Sequence, residues 1–167
     1  MKKKVLSILV DNTSGVLSRV AGLFSRRGYN IDSLTVGETE NPAYSRMTVV
    51  VRGDDLILDQ IKKQVEKLED VRCVKELKSG HAVCRELVLI TVGVTAEERP
   101  SVVAIADIFR AKIVDVGMDT MMIELTGNQS KLNAFIKLLD GYEIKEMVRT
   151  GIAGLSRGAE TLLEDFN

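Results

Sequence analysis

One turn between a predicted strand and a predicted helix holds residues whose types and spacing could bind a small molecule. It reads Asp11-Asn12-Thr13-Ser14-Gly15 and lies between an apolar run over 5–10 and an amphipathic helix that begins near Val16. Gly15 has no side chain to keep a ligand from the backbone, and the first free amides of the helix would donate hydrogen bonds to a carboxylate. The pattern predicts a cradle for a small anionic metabolite.

Two asparagines could extend this cradle. Asn12 lies in the turn, and Asn30 follows Gly28, a glycine that fits the C-cap of the helix. We expect both amide side chains to converge on one end of the sheet, a combination that fits an amino-acid zwitterion. The alternative is that Asp11 or Ser14 only caps the helix and Gly15 only eases the turn.

The first half of the chain alternates between strand and helix periodicity. Apolar residues recur at helical spacing after Gly15, and again after the capping pair Asp54-Asp55. Strands are predicted over 5–10, 31–37, 46–51 and 71–77, and the apolar helix faces are Val16, Val20, Leu23 and Phe24, then Ile57, Ile61, Val65 and Leu68. The order of elements is βαββαβ.

The second half repeats this order after the polar segment Lys78-Ser79-Gly80-His81. Its first helix is introduced by Pro100, which is tolerated in a first helical turn. Strands are predicted over 86–94, 113–118, 121–126 and 142–148, and the helix faces are Val102, Ile105, Ala106 and Phe109, then Leu132, Phe135, Ile136 and Leu139. The chain is therefore predicted to be α+β, with two tandem ferredoxin-like units.

These patterns set the expected domain boundaries and assembly. The first domain is placed at 1–78, a linker at 79–84, and a second domain with a C-terminal tail at 85–167. The sheet face without helices carries enough apolar residues to require a cover, from the other unit or another subunit, so we expect at least a dimer.

The two units differ in chemistry at equivalent turns. Where the first has Asp-Asn-x-x-Gly, the second has Thr95-Ala96-Glu97-Glu98-Arg99-Pro100, whose paired acids would repel a carboxylate. Only the first unit is predicted to bind an amino acid.

Composition excludes several classes of function. The 167 residues are 45% hydrophobic and 28% charged, with a net charge of −1, which leaves no basic surface for nucleic acid or an anionic membrane. The first apolar run is too short for a signal sequence, and no run reaches the roughly 20 residues of a membrane span, so a cytoplasmic protein is expected. Cys73 and Cys84 are interpreted as two free thiols.

Catalytic and RNA-binding alternatives find little support. His81 is the only histidine and is interpreted as a solvated linker residue, so neither a catalytic residue nor a metal site is predicted. The glycines of Gly151-x-x-Gly154-x-x-x-Gly158, with Arg149 and Arg157, lack the ending of a phosphate loop. We interpret this segment as docking or packing, with Leu155, Leu162, Leu163 and Phe166 as apolar contacts. An RNA recognition motif is excluded because the central strands carry no aromatic residue.

A long stretch of the chain resembles a known family. The carrying residues are Asn12-x-x-Gly15-Val16-Leu17-x-Arg19-Val20-x-x-Leu23-Phe24-x-x-Arg27-Gly28-x-Asn30-Ile31-x-Ser33-Leu34-Thr35-Val36, then Ser45-Arg46-Met47-Thr48, Arg85-Glu86-Leu87-x-Leu89-Ile90, Arg149-Thr150-Gly151 and Leu155-Ser156-Arg157-Gly158. They resemble the acetolactate synthase regulatory (small) subunit, with its ACT domain at the N-terminus. Asp11 stands where the family more often has Glu.

The resemblance implies a regulatory chain without an active site. Such a chain binds the catalytic subunit of acetolactate synthase, activates it and makes it inhibitable by valine. Thiamine diphosphate, Mg²⁺ and FAD would belong to that catalytic partner, and none to this chain. The effector site carried over from the family is Asn12, Gly15, Val16, Leu17, Asn30 and Ile31, at an interface where the ACT sheets of a homodimer join edge to edge. A free-standing ACT-type amino-acid sensor with a different partner remains the alternative.

Overall fold

The computed structural model describes residues 2–158, which fold into two compact units. Of the described residues, the first unit contains 2–83 and 152–158, and the second contains Cys84–Gly151. No helix among the described residues is long and apolar enough to cross a membrane.

The first unit has the predicted βαββαβ order. Its elements are β1 (Lys2–Asp11), α1 (Val16–Arg26), β2 (Ile31–Glu38), β3 (Tyr44–Gly53), α2 (Asp55–Glu66) and β4 (Val71–Glu76). The strands form an antiparallel sheet in the order β2-β3-β1-β4, so β2 and β4 are its edges. Because β1 and β2 both run antiparallel to β3, they are parallel to each other.

The helices of the first unit cover one face of its sheet. The core residues on α1 are the predicted ones, Val16, Val20, Leu23 and Phe24. On α2 the expected face was partly wrong: Leu58 is in the core with Ile61 and Val65, whereas Ile57 is exposed. Asp54 caps this helix by accepting a hydrogen bond from the Ile57 amide, which places Ile57 in the first turn, toward solvent.

The second unit repeats the topology. Its elements are β5 (Ala82–Gly93), α3 (Arg99–Ile108), β6 (Lys112–Val116), β7 (Thr120–Gly127), α4 (Gln129–Leu138) and β8 (Glu143–Arg149), in the sheet order β6-β7-β5-β8. Val102 and Ala106 of α3 and Leu132 and Phe135 of α4 are buried against the strands, together with Leu139. The α+β class and the two ferredoxin-like units are confirmed.

The segment after Gly151 departs from the expected boundary. It was assigned to the second domain, yet the described residues from Ile152 onward lie with the first unit. The Ile152 amide donates a hydrogen bond to Ser33 Oγ at 3.0 Å, and Thr35 Oγ1 donates to the Ile152 carbonyl at 3.1 Å. Side-chain hydrogen bonds between such distant positions leave no periodic pattern in a sequence.

A short strand, β9 (Ala153–Ser156), follows and pairs with β5, which begins in the first unit at Ala82. No strand was predicted here. The interpretation of 151–158 as a packing segment fits this pairing, whereas Leu162, Leu163 and Phe166 lie outside the described residues.

Candidate functional site

Gly15 shapes the turn between β1 and α1. It is the N-cap residue of α1, its φ is 85° and its ψ is −5°, a left-handed conformation that costs glycine little. The N-cap position supplies no side-chain hydrogen bond to the first amides of the helix. Neither Asp11 nor Ser14 takes the capping role that the alternative reading of this turn assigned to them. The turn is therefore open to an outside hydrogen-bond acceptor.

Asn12 fixes the turn to its neighbours. Its Nδ2 donates to the Pro42 carbonyl at 2.9 Å, its Oδ1 accepts from Ser45 Oγ at 3.0 Å, and its backbone amide donates to the Ala43 carbonyl at 2.8 Å. One amide hydrogen and one oxygen lone pair of the side chain remain for a ligand. Asn12 thus has a structural role that its residue type alone did not reveal.

Two arginines hold the turn from the side of β4. Arg72 donates to both carboxylate oxygens of Asp11, at 2.7 and 2.6 Å, and Arg19 donates to Asp70. The hydrogen bond from Arg19 holds the pKa of Asp70 below its usual range, and the hydrogen bond to Asp11 raises the pKa of Arg72. These two ion pairs connect the turn and the start of α1 to β4 and to the residue before it.

The guanidinium of Arg19 also lies close over Gly15. A Cβ added at Gly15 would come within 2.8 Å of Arg19 Nη1. The turn therefore combines open amides at a helix N-terminus, which favour a carboxylate, with a guanidinium that already pairs with Asp70.

The two apolar residues after Gly15 differ in access. Val16 is 4% exposed and packs in the core of the first unit, so only its backbone can reach a ligand. Leu17 is 47% exposed and lies free at the surface of the first helical turn. Of the two, Leu17 is the side chain that can contact an aliphatic ligand.

Asn30 and Ile31 lie at the opposite end of the sheet from Asn12. Ile31 pairs with Val51, whereas the end of β1 and the end of β2 pair with Tyr44 and Ser45 at the other end of β3. At about 3.4 Å per residue the two ends are about 20 Å apart. The expectation that the two asparagines converge within one chain is wrong, because α1 carries the chain back across the sheet before β2 begins.

Asn30 makes one local contact. Its Nδ2 donates to Asp32 Oδ1 at 2.9 Å, and the residue is exposed immediately before the edge strand β2. Ile31 is partly buried against the core. The start of β2 therefore offers an amide oxygen beside an apolar surface.

The equivalent turn of the second unit closes on itself. The Thr95 amide donates to Glu98 Oε1 at 3.0 Å, and the Glu98 amide donates to Thr95 Oγ1 at 3.2 Å. This reciprocal pair has the pattern of a capping box and closes the turn immediately before α3, whose N-cap residue Glu98 makes no side-chain hydrogen bond to the helical amides. The Thr-x-x-Glu spacing in the sequence predicts this pair of hydrogen bonds, whereas the acidity of the segment alone does not.

Other candidate groups have structural partners. Arg149 forms a two-point ion pair with the buried Glu86, at 2.8 and 3.0 Å, so it is not free to bind phosphate. His81 is exposed, and within residues 2–158 no cluster of three or more metal-binding side chains occurs. Cys84 is a free thiol as predicted, and burial raises the pKa of its thiol group.

Known proteins resemble this chain over nearly its whole length. Residues 6–73 match the family described as the AHAS small subunit-like ACT domain, and residues 85–158 match the small subunit of acetolactate synthase. A probable acetolactate synthase small subunit of Methanothermobacter thermautotrophicus is 47% identical over 159 residues, covering 95% of each chain. The isozyme 3 small subunit of Escherichia coli is 46% identical over 157 residues, covering 93% of this chain and 96% of that one.

A solved structure is similar as well. The acetolactate synthase small subunit from Thermotoga maritima superimposes with a TM-score of 0.88 at 41% identity, covering 96% of this chain and 100% of that one. The resemblance noted from the sequence motifs is thereby confirmed.

Proposed function

Because the chain belongs to the family of acetolactate synthase small subunits, we propose that it activates the large catalytic subunit and makes that subunit inhibitable by valine. A small subunit of this enzyme is regulatory, and catalysis resides in the large subunit. The observation that supports an effector site is the β1–α1 turn, where Gly15 leaves the first helical amides without a side-chain cap.

Valine would bind through three groups of contacts. The amides of Gly15, Val16 and Leu17 take its carboxylate, because a helix N-terminus favours negative charge. The side-chain oxygen of Asn30 accepts from its ammonium group, and Leu17 and Ile31 pack against its isopropyl group. Asn12 contributes mainly by holding the turn through Pro42 and Ser45.

The site would be shared by two copies of the chain. Asn30 and the Gly15 turn lie at opposite ends of one sheet, so a single chain does not bring them together. Strand β2 is an edge strand and can pair with β2 of a second copy in a two-fold homodimer. Antiparallel pairing of this kind carries the start of one β2 toward the turn end of the partner's sheet.

Inhibition would follow from a preference of valine for one arrangement of the dimer. Valine bound across the interface stabilises the arrangement that activates the large subunit less. A tenfold change in activation requires about 1.4 kcal/mol of coupling. A few hydrogen bonds made in only one arrangement would supply it.

The reaction itself belongs to the partner. We place thiamine diphosphate, Mg²⁺ and FAD in the large subunit, and the complex in the cytoplasm. This chain then supplies the effector site, the dimer interface and the docking surface.

Reconstitution with the large subunit tests the proposal. Adding the purified chain should raise turnover, and L-valine should reverse that rise while D-valine does not. Leucine and isoleucine are tested in the same way. A difference of one methyl group changes binding in an apolar pocket by only about 1 to 3 kcal/mol, so the preferred amino acid has to be measured. If the large subunit neither copurifies nor changes its turnover, the chain is instead a free-standing amino-acid sensor with another partner.

A further inference from the structure

A groove in the first unit lies on the sheet face opposite α1 and α2. Its volume is about 610 Å³. Thr35 pairs with Thr48 and Gly37 with Arg46 across β2 and β3, and these positions alternate with core residues such as Met47 and Val49. The lining residues are Thr35, Val36, Gly37, Glu38, Thr39, Glu40, Arg46, Thr48, Val83, Ala153, Gly154 and Leu155. The six predicted effector residues lie elsewhere.

Arg46 is the positive charge of this groove. Its guanidinium donates to Ser7 Oγ at 3.2 Å, and Ser7 is fully buried. Within residues 2–158 Arg46 forms no ion pair, whereas Arg19, Arg52 and Arg72 of the same unit each pair with an aspartate. A half-buried guanidinium without a carboxylate is costly, and an anion that enters the groove would relieve that cost.

The space beside Arg46 is open. Its partner across the strands is Gly37, and a Cβ added there would meet nothing within 4 Å. A small carboxylate can therefore enter the groove over the backbone of β2, beside Arg46, whose guanidinium extends toward Ser7 on β1.

The other walls of the groove combine apolar and acidic side chains. Leu155 is 57% exposed and Val83 is half-buried, and Glu38 and Glu40 lie in the same lining. Exposed aliphatic side chains around one cation fit a ligand with a carboxylate at one end and a short hydrocarbon chain at the other.

We propose that this groove is a second ligand site, which binds a small aliphatic carboxylate through Arg46 and packs its hydrocarbon chain against Val83 and Leu155. Two classes of compound carry this chemistry, aliphatic amino acids and the corresponding 2-oxo acids. Glu38 and Glu40 also line the groove and would favour the ammonium group of an amino acid. The site is independent of the effector site at Gly15.

Methyl NMR of the full chain tests the proposal. Four compounds are titrated: L-leucine, 4-methyl-2-oxopentanoate, L-valine, and 3-methylbutylamine, which keeps the hydrocarbon chain but has no carboxylate. The methyl signals of Val83 and Leu155 report on the groove, and those of Leu17 report on the β1–α1 turn. We expect at least one carboxylate to shift the groove signals saturably, and the amine, which offers Arg46 no partner, to bind at least about tenfold more weakly.

Two variants isolate the role of Arg46. In Arg46→Gln the dissociation constant from the groove signals should rise at least about tenfold, because the charged partner of the carboxylate is lost. Arg52→Gln is the matched control: it removes the same charge from the same strand, outside the groove, and should leave that constant unchanged.

The outcomes separate this inference from the proposed function. Groove signals that respond to none of the carboxylates, that respond equally to the amine, or that titrate identically in Arg46→Gln would overturn the groove site. A Leu17 signal that ignores L-valine would count against the effector site at Gly15 and leaves the groove result standing. If L-leucine binds and the oxo acid does not, the groove is an amino-acid site.

Discussion

The two strand-to-helix turns of this chain share a topology but differ in chemistry. The turn after β1 has a left-handed Gly15 and no side-chain cap, whereas the turn after β5 closes on itself through Thr95 and Glu98. A helix N-terminus needs acceptors for its free amides, and a protein can supply them or leave them for a ligand. In this chain, the turn that closes through its own side chains lies in the second unit, and the turn without such a pair lies in the unit that carries the proposed effector site.

The largest effect is expected when the first turn is made to resemble the second. Gly15→Asp places a carboxylate beside the helical amides and within reach of Arg19, where it competes with the carboxylate of valine. Valine affinity should fall at least about 100-fold, or about 2.7 kcal/mol. Calorimetric titration measures this loss.

Gly80→Asp is the control for that change. Gly80 has a φ of 82°, close to that of Gly15, and a Cβ there meets nothing within 4 Å. It carries the same backbone strain and the same new charge in the linker. Valine binding lost equally in both variants would show that the effect of Gly15→Asp is not local.

Mixing two defective chains tests whether the first turn acts with a second copy. Asn30→Ala should weaken valine binding about tenfold, because one hydrogen bond to a charged group is lost. In a random mixture with Gly15→Asp, about a quarter of the sites would combine an intact turn with an intact Asn30. Strong binding should reappear at that stoichiometry in a calorimetric titration. If strong valine binding does not reappear in the mixture, either the whole site lies within one chain or Asn30 is not part of the site.

A smaller effect is expected when the second turn is opened. Thr95→Ala removes one half of the capping box and should destabilise the second unit by about 1 kcal/mol. Thermal unfolding measures the loss, and valine affinity should not change. A gain of valine binding in this variant would mean that the cap alone keeps the second turn from binding ligand.

The smallest effect concerns the ion pair that holds the first turn. Arg19→Met removes the hydrogen bond that lowers the pKa of Asp70, so this pKa should rise toward the usual value of about 3.9. A carboxyl whose pKa is lowered by folding stabilises the protein above its unfolded pKa, and that contribution disappears as the pH falls through the folded pKa. Carboxyl carbon NMR across pH 2 to 5 measures the shift. An unchanged titration of Asp70 would contradict the role of Arg19.

The sequence predicted the elements well because their signals are local. Strand alternation, helical spacing and the cap at Asp54 each span a few residues, and both βαββαβ units follow from them. The turn at Gly15 was also recognisable, since its chemistry lies within one short segment.

What the sequence did not reveal depends on long-range geometry. The opposed positions of Asn12 and Asn30 follow from the parallel directions of β1 and β2, which a search for similar residue types overlooks. The partners of Asn12 lie about 30 residues away, and those of Ile152 lie on β2. Ile57 was misplaced because two overlapping apolar stripes on α2 fit the same helical period.

The return of the chain to the first unit at Ile152 makes the second unit an insertion rather than an appendage. A polypeptide cut in the 79–84 linker would lack the backbone that Ser33 and Thr35 hold, and would leave those hydroxyls and the back of the edge strand without their cover. A faithful isolated first domain therefore needs residues 152–158 rejoined to Val83 by a short flexible link. Deletion mapping of such a regulator reports on the loss of a structural strand as well as on the loss of a domain.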